Sequence, residues 1–482
     1  MNPARTIRDP VGPPTYWLTR FVLLRLLGMV YAIAFLAAIN QALPLIGSHG
    51  LLPAAVFLQH VSNTIGSTTG FIRIPSIFWF VHSDTALLVT AWIGFCLAIV
   101  VAAGFANAII MTILWFFYMS FVNAGQEWYG YGWEIQLLET GFLAIFLCPL
   151  LDARPFPKRP PPLFIIRLFR WLILRIMVGS GLIKLRGDEV WRNATALYYH
   201  FETQPLPGPL SRWFHFLPRS VLRIGVWFNW LAELIAPLFV FWPRVGRHIA
   251  GIIMILLQII LILSGNLSFL NWLTIVPALA CFDDGFLARV LPRRLVQKAA
   301  AAGNNAEPSR PMEVTSWIVT VLIAFLSIQP VVNMLSPNQI MNTSFDPLNL
   351  VFQGTTDSIP DDAAAWKEYS YKALPDHPDK RSPQIAPYQP RLDWQLWFAA
   401  MSTPDEYPWT LTLIDRLLHN DPGALSLFGG NPFPRQPPRY IRVILYRYKF
   451  APPGNPQGHW WTRERIGAPW LPALSAEDPR LK

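Results

Sequence analysis

The chain has 482 residues, of which 53% are hydrophobic and 14% are charged, with a formal net charge of +10 and a mean hydropathy of +0.33. Soluble domains carry about 25% charged residues, so this composition excludes an ordinary soluble enzyme and predicts an integral membrane protein. A nucleic-acid-binding protein would need its positive charge on one face of a soluble domain, whereas the excess of positive charge here lies in segments that flank apolar runs. We therefore expect no nucleic-acid partner.

Apolar segments long enough to cross a bilayer recur through the first two thirds of the chain. Because about 20 residues span the hydrocarbon layer, the sequence predicts an α-helical polytopic membrane domain over residues 1–334 with about nine spans. The eighth span is short and follows the seventh after only Gly265 and Asn266, so a tilted, a broken and a re-entrant segment all fit it. The predicted spans lie near residues 21–43, 85–104, 106–122, 135–151, 163–183, 224–242, 248–265, 267–282 and 314–334.

Positive charge beside the spans determines the predicted orientation. With the N-terminus inside, the segments 152–162, 243–247 and 283–313 face the cytoplasm, and they are rich in Lys and Arg. This is the positive-inside pattern. It implies an odd number of spans and places residues 335–482 outside the cytoplasm.

The sequence contains no familiar metal or cofactor motif. Cys96, Cys148 and Cys281 lie in separate apolar segments, without the spacing of a zinc site or of a disulfide framework. No P-loop, GxGxxG, GxSxG or HExxH string occurs. We therefore predict no metal site and name no cofactor.

Lys184 and the loop after it form the first candidate site. Lys184 ends the fifth span in GSGLIKLRGD, where a partly desolvated lysine has the chemistry of a base, although a lysine anchored at the membrane interface is the commoner case. His200 and Glu202 follow in YYHFETQP, and a loop that folds back would combine all three in an acid/base site. The alternative is an interfacial amphipathic segment.

Several neighbouring polar residues fit either a local ion-pair cluster or a functional site. Arg186 and Asp188 follow Lys184 directly, with Trp191 shortly after them, and Glu127 lies in the outer loop NAGQEWYGYGWE. The acids at or inside spans need a cationic partner or a water-filled cavity, because an unpaired carboxylate in hydrocarbon is costly. These acids are Glu134, Glu139 and Glu233.

Residues 335–482 are predicted to form an α+β domain outside the cytoplasm. Strand-like alternation occurs at 366–374 and 439–450, and helical spacing occurs at 391–402 and 409–419. The segment RLDWQLWF (391–398) is aromatic on nearly every side of a short helix, which fits either a buried core or a partner-binding surface. Trp460, Trp461 and Arg463 present the same choice.

Several long strings together carry a resemblance to the lipase maturation factor family. They include SGLIKLRGDEVW, ALYYHFETQPLP, SGNLSFLNWLTI, CFDD, PYQPRLDWQLWFAA and RYKFAPPG followed by WWTRERIG, and the resemblance runs from about residue 17 to 470. It implies a multi-span membrane protein whose terminal domain outside the cytoplasm helps client proteins to fold. It also implies that a client contacts the terminal domain, with the contact residues Arg391, Asp393, Trp394, Trp397, Trp460, Trp461 and Arg463.

The location implied by this resemblance depends on the source. Animal members lie in the endoplasmic reticulum and assist secreted lipases. Short loops and a composition rich in Ala, Arg and Pro favour a bacterial member in the inner membrane, with the terminal domain in the periplasm. The expected partners are an exported, lipase-like client and membrane lipids.

A fainter resemblance covers only the string GLIKL and the Trp191 that follows it. It is similar to vitamin K-dependent carboxylase and its membrane relatives, in which a lysine at this place is the base, and it implies that role for Lys184 on a lipid- or quinone-like substrate. Two hypotheses thus remain: a chaperone-like maturation factor that acts by contact, and a membrane enzyme. We favour the first, which is not an enzyme.

Overall fold

The structure is a computed structural model, and it describes residues 14–336 and 346–481. Residues 14–336, here the helical region, contain α-helices α1 to α17. Residues 346–481, the sheet region, contain α18 to α20 and five strands. In chain order the helices are α1 Trp17–Ile46, α2 Ala54–Ile65, α3 Ser67–Arg73, α4 Asp84–Ala103, α5 Ala108–Ala124, α6 Gly132–Leu147, α7 Leu163–Gly187, α8 Glu189–Arg192, α9 Leu197–Thr203, α10 Ser211–His215, α11 Arg219–Trp230, α12 Arg244–Ser264, α13 Leu270–Ala278, α14 Asp284–Val290, α15 Arg293–Asn304, α16 Arg310–Leu326, α17 Ile328–Leu335, α18 Arg391–Ala399, α19 Trp409–Leu418 and α20 Pro422–Ser426.

Each predicted span overlaps helix, but this overlap does not confirm that nine segments cross a membrane. Within the described ranges, five helices are long and apolar enough to cross a membrane. Two further apolar helices are shorter, α5 and the segment Leu270–Cys281 that corresponds to the predicted eighth span. Pro277 lies within α13, the helix of this short segment. The five long helices are Trp17–Ile46, Asp84–Ala103, Arg219–Phe239, Arg244–Ser264 and Arg310–Leu335.

Small residues allow the helices to approach closely. A Cβ at Gly28 of α1 would lie 2.6 Å from the backbone nitrogen of Ala102 in α4, so a larger residue would push the two helices apart. Close approach of this kind stabilises helix pairs in membranes, where van der Waals packing replaces the hydrophobic effect. Gly94 of α4 has the same role against the ring of Phe35.

The sixth apolar helix is broken in its middle. It starts as α11, continues as a π-helical turn over Leu231–Ile235 and ends in a 3₁₀ turn over Ala236–Phe239. Pro237 has no backbone N–H to donate, so one hydrogen bond of the α-helix is lost there, which accounts for the change of winding. Single π-turns of this kind are frequent at functional positions. This one contains Glu233.

The sheet region is an antiparallel sheet covered by helices. Its strand order is β2-β1-β3-β4, and β5 also pairs with β3. Almost every residue of β1 is buried, and α18 packs against it, so this strand forms the centre of the region. The strands are β1 Leu348–Thr355, β2 Lys367–Glu368, β3 Tyr440–Phe450, β4 Trp461–Arg465 and β5 Leu471–Leu474.

The α+β prediction for the terminal segment is confirmed in its main elements. The predicted strand 439–450 is β3, and the predicted helices 391–402 and 409–419 are α18 and α19. The alternation at 366–374 yields only the two residues of β2 and a single bridge from Ser370 to Gly430. The sequence did not predict β1, β4 and β5, because proline-rich and charged residues lie next to these strands.

Candidate functional site

The helical and sheet regions meet at a buried ion pair. Arg391 begins α18, and its Nη1 lies 2.9 Å from Oε1 of Glu134 in the first turn of α6. Both side chains are fully buried. Nη1 also donates to the carbonyl oxygen of Trp128 at 2.5 Å, and the guanidinium lies 3.6 Å from the ring centre of Tyr129. Burial acts to lower the pKa of Arg391, but the Glu134 carboxylate and the neighbouring tyrosine side chains together outweigh burial and hold that pKa above its ordinary value.

Glutamine side chains on both regions extend this contact. The Oε1 atom of Gln41 in α1 accepts a hydrogen bond from the backbone N–H of Arg391 at 2.8 Å, and its Nε2 donates to the carbonyl of Gln389 at 2.8 Å. On the other side of α18, the Nε2 atom of Gln395 donates to the carbonyl of Glu127 at 2.5 Å. The start of α18 is therefore held by both α1 and the loop before α6.

Aromatic rings seal the same contact. Trp394 of α18 packs edge-on against Trp133, with ring centres 4.9 Å apart, and Trp128 packs against Trp409 of α19 at 5.0 Å. Trp128 and Trp409 are among the largest fully buried side chains of the described residues. Rings at these separations add to the free energy gained by burial alone.

A second contact is made by one asparagine. Asn266 lies between α12 and α13, and its Oδ1 accepts hydrogen bonds from the backbone N–H groups of Ile385 and Ala386, both at 2.9 Å. Its Nδ2 donates to the carbonyls of Pro207 and Pro383 at 3.1 and 2.8 Å. The side chain is fully buried, and both its oxygen and its nitrogen form hydrogen bonds, which join the helical region to the sheet region.

A third contact joins α9 and α10 to β3. Arg212 donates to the carbonyls of Ala451 and Pro452, both at 2.8 Å. The carboxylate of Glu202 accepts from the backbone N–H of Phe450 at 3.2 Å. The guanidinium of Arg212 also lies 4.9 Å from the ring centre of Trp460. The loop after the fifth span therefore holds the end of β3.

Most of the side chains expected to contact a client are buried. Arg391 and Asp393 are fully inaccessible, Trp394 is 4% exposed and Trp461 is 1% exposed. Buried side chains cannot touch a client in this conformation, so the alternative of buried core describes these four. The remaining three, Trp397, Trp460 and Arg463, are partly exposed.

Asp393 stabilises the interior of the sheet region. Its Oδ2 accepts hydrogen bonds from the backbone N–H groups of Ala373 and Leu374, at 2.7 and 3.0 Å. Burial raises the pKa of this carboxyl to about 6, against the effect of the two backbone hydrogen bonds. The residue thus ties α18 to the loop that follows β2.

Lys184 belongs to a polar cluster inside the helical region. Its Nζ lies 2.6 Å from Oε1 of Glu233 and 3.1 Å from Oδ1 of Asn229. Ser180 also donates to Oε1 of Glu233, at 3.1 Å, and Asn229 donates to Oε2 at 2.9 Å. The ammonium lies 4.9 Å from the ring centre of Trp191. Lys184 therefore has a counter-ion in the π-turn of the sixth helix.

Lys184, His200 and Glu202 do not form a hydrogen-bonded triad. Glu202 has other partners, namely the Phe450 backbone and His215, whose Nε2 lies 3.7 Å from the carboxylate. Burial, together with the positive charge of Lys184, lowers the pKa of His200 to about 4. His200 is therefore neutral at pH 7 and packs against the ring of Phe201.

The residues expected to form a loop cluster lie in two places. Arg186 donates to the carbonyls of Met334 and Ser336 at 2.6 and 2.7 Å, and so ties α7 to the end of α17. Asp188 caps α8 by accepting from the N–H of Val190. Glu127 lies elsewhere, at the contact with α18, where burial raises the pKa of its carboxyl.

Each acid at or inside a predicted span has a cationic partner, as expected. Glu134 pairs with Arg391, Glu233 pairs with Lys184, and Glu139 of α6 pairs with Arg175 of α7. The sequence indicated that these acids need partners but not which ones. It missed Gln41, Asn229 and Asn266, although a polar amide in an apolar run was the available signal. Among residues 14–336 and 346–481, no group of three or more His, Cys, Asp or Glu side chains has the geometry of a metal site.

These features define an integral membrane protein whose α+β terminal region is docked on its helices through buried polar contacts. Two sequence profiles match it: "Lipase maturation factor transmembrane domain" over residues 18–289 and "Lipase maturation factor C-terminal domain" over residues 313–470. The chain belongs to the lipase maturation factor family.

Individual relatives match nearly the whole chain. "Lipase maturation factor 1" of Bos taurus is 43% identical over 98% of this chain and 93% of its own length, and that of Homo sapiens is 42% identical over 99% and 93%. "Lipase maturation factor 2" of Homo sapiens is 26% identical over 96% of this chain and 84% of its own length. No solved structure matches the chain.

Proposed function

We propose that this protein is a membrane-bound maturation factor that helps exported, lipase-like clients to fold, and that it acts by contact and not by catalysis. The observation that carries the proposal is the 43% identity to a protein named "Lipase maturation factor 1" over nearly the full length of both chains. The counter-ion of Lys184 supports a structural role for the residue on which the enzyme hypothesis depended.

The sheet region is proposed to lie outside the cytoplasm. Asp284 accepts hydrogen bonds from the N–H groups of Trp17 and Leu18 at the start of α1, and the neighbouring Asp283 pairs with Arg244 and Arg247. The other end of α1 contacts the sheet region. The 30 residues of α1 are about 45 Å long at 1.5 Å per residue, which matches a bilayer with its head groups.

The start of α1, with the nearby Arg244 and Arg247, and the sheet region would then lie on opposite sides of the membrane. Basic residues favour the cytoplasmic side, which supports the proposed orientation. For a bacterial member the sheet region would be periplasmic, and for a eukaryotic member it would lie in the lumen of the endoplasmic reticulum. A reporter enzyme that is active only outside the cytoplasm, fused after Lys482, is expected to be active, and the same reporter inserted after Asn305 is expected to be inactive. The reverse result would refute the orientation.

Trp460 is the best candidate for client contact. It is partly exposed, and its ring lies 4.9 Å from the guanidinium of Arg212 and 5.2 Å from that of Arg381. Trp and Arg are the residues that most often dominate binding at protein surfaces. Arg381 and the side chains of His377 and Asp379 beside it are exposed.

The test is a client-maturation assay with a matched tryptophan. Trp460→Ala is expected to reduce the activity of a co-expressed secreted lipase. Trp366→Ala is the control, because Trp366 is also partly exposed and also lies over an arginine, Arg442, at 4.0 Å. Lipase activity is compared at equal membrane levels and equal thermal midpoints of the two variants. Equal loss in both variants, or no loss in either, would contradict the proposed contact.

A further inference from the structure

A cleft lies between α5, α6 and α16. Its volume is about 920 Å³, within the usual range for a small-molecule site. The N-terminal ends of α5 and α16 and the C-terminal end of α6 meet there, on the predicted cytoplasmic side. Most of α16 is accessible at its surface, since only two of its side chains, Ser316 and Val319, are buried.

The walls of the cleft are apolar along the helices. They include Ile113 of α5, Ile145 and Phe146 of α6, and Met312 of α16. Ile109 on the same wall is 44% exposed, and Leu150 at the edge is 67% exposed, so the cleft is open to its surroundings. In a membrane protein those surroundings are lipid, and acyl chains match such walls.

The mouth of the cleft is charged and carries an excess of cations. Arg154, Lys158 and Arg159 line it together with Asp152 and Glu307. The acids pair with the first two cations: Asp152 with Arg154 at 2.6 Å and Glu307 with Lys158 at 2.8 Å. Arg159 donates to the backbone carbonyls of Glu307 and Pro308, which keeps α16 attached at this point.

A buried arginine lies behind this mouth. Arg20 is 2% exposed, and its Nη1 donates to the carbonyl oxygen of Arg159 at 2.9 Å. Its Nη2 has no hydrogen-bond partner among the described residues. The residues that line the mouth comprise three cations and two carboxylates, a net charge of +1, and Arg20 lies behind them.

We propose that this cleft binds one anionic glycerophospholipid of the adjacent leaflet, with its phosphodiester at Arg154 and Lys158 and an acyl chain along α5 and α6. Basic pockets between transmembrane helices on the cytoplasmic side are suited to anionic head groups. A soluble phosphate would satisfy the mouth alone, and a zwitterionic lipid would satisfy the walls alone. Only an anionic lipid matches both parts of the cleft.

The test uses the purified full-length protein in detergent, and the amount of lipid retained is measured by native mass spectrometry. Phosphatidylglycerol is expected to bind, and phosphatidylcholine is expected to bind at least fivefold more weakly. Inorganic phosphate at the same concentration is expected neither to bind nor to displace phosphatidylglycerol. Equal binding of the two lipids, or displacement by inorganic phosphate, would overturn the proposal.

Charge variants separate this site from general attraction to anionic lipids. Arg154→Gln and Lys158→Gln are each expected to weaken phosphatidylglycerol binding about fivefold, and Glu307→Gln is expected to strengthen it by a similar factor, because it removes a competing carboxylate. The control is the double variant Arg293→Gln/Arg294→Gln, whose arginines are exposed and line none of the described cavities. Equal weakening in the control would overturn the proposal.

Steric variants test the apolar half of the site. Ile109→Trp is expected to fill the cleft and abolish phosphatidylglycerol binding. Ile93→Trp on α4 is the matched control, because Ile93 has the same 44% exposure and lines none of the described cavities. Retained binding in Ile109→Trp, or loss in both variants, would refute the assignment. Thermal midpoints measured without added lipid are expected to be the same for both.

Discussion

Glu134→Gln tests whether the buried ion pair joins the two regions. The substitution preserves the size of the side chain but removes the negative charge that lies 2.9 Å from Arg391. Arg391 keeps its hydrogen bond to the carbonyl of Trp128 and its position over the ring of Tyr129. The guanidinium is then a fully buried cation without a counter-ion.

The size of the effect follows from that burial. Removing one partner of a buried ion pair costs about 3–5 kcal/mol, because the remaining charge stays desolvated. Removing both partners costs much less, since an apolar pair of similar volume requires no desolvation of charge. We therefore expect Glu134→Gln to destabilise the docked state by about 3–5 kcal/mol. The double variant Glu134→Leu/Arg391→Met is expected to be clearly more stable than the sum of its two single variants.

The assay is reversible unfolding in detergent and denaturant, followed by tryptophan fluorescence, with protease cleavage of the sheet region as a second readout. Glu307→Gln is the control, because the same substitution there disrupts a solvent-exposed pair with Lys158. We expect that control to show no measurable loss. The reasoning is refuted if Glu134→Gln behaves like Glu307→Gln, or if the double variant costs the sum of the single ones.

Three further outcomes are expected from the same unfolding assay. Lys184→Met leaves Glu233 buried without its counter-ion and is expected to cost about 3 kcal/mol, whereas Lys184→Met combined with Glu233→Gln should recover part of this loss. Asn266→Ala removes the acceptor of two buried backbone N–H groups and is expected to cost about 1–3 kcal/mol and to expose the segment near Ala386 to protease. The pKa of Asp393 is raised to about 6, so between about pH 4 and 6 the folded state still binds a proton that the unfolded chain has released. The free energy of unfolding is therefore expected to fall by roughly 3 kcal/mol, relative to Asp393→Asn, as the pH rises from about 4 to about 6. An unfolding profile with the same pH slope in both proteins would refute that assignment.

The sequence predicted the positions of the apolar helices better than the site. Long apolar runs and an alternating strand are local patterns, so α1 and β3 fell close to their expected bounds. The need of Glu134 for a partner was also visible, because a carboxylate in hydrocarbon requires one. The identity of that partner was not visible, since Arg391 lies 257 residues away and is brought near only by docking of the sheet region. The same limit explains why the sequence left open whether Arg391 and Trp394 are buried or contact a partner: their burial depends on side chains of α1 and α6.

Three of the ion pairs link the sheet region, through α6 and α7, to the broken helix. Arg391 of α18 pairs with Glu134 at the start of α6, and Glu139 of α6 pairs with Arg175 of α7. Lys184 at the end of α7 pairs with Glu233 in the π-turn that follows α11. Each pair costs desolvation, so together they contribute little net stability compared with an apolar core. They do, however, penalise any sliding or rotation of one element against the next, because a shift of one residue would leave a charge unpaired in an apolar environment. The sheet region is thus held in one orientation relative to the broken helix. Under the proposed function, a client-binding surface on the sheet region would then keep a fixed position relative to the helical region.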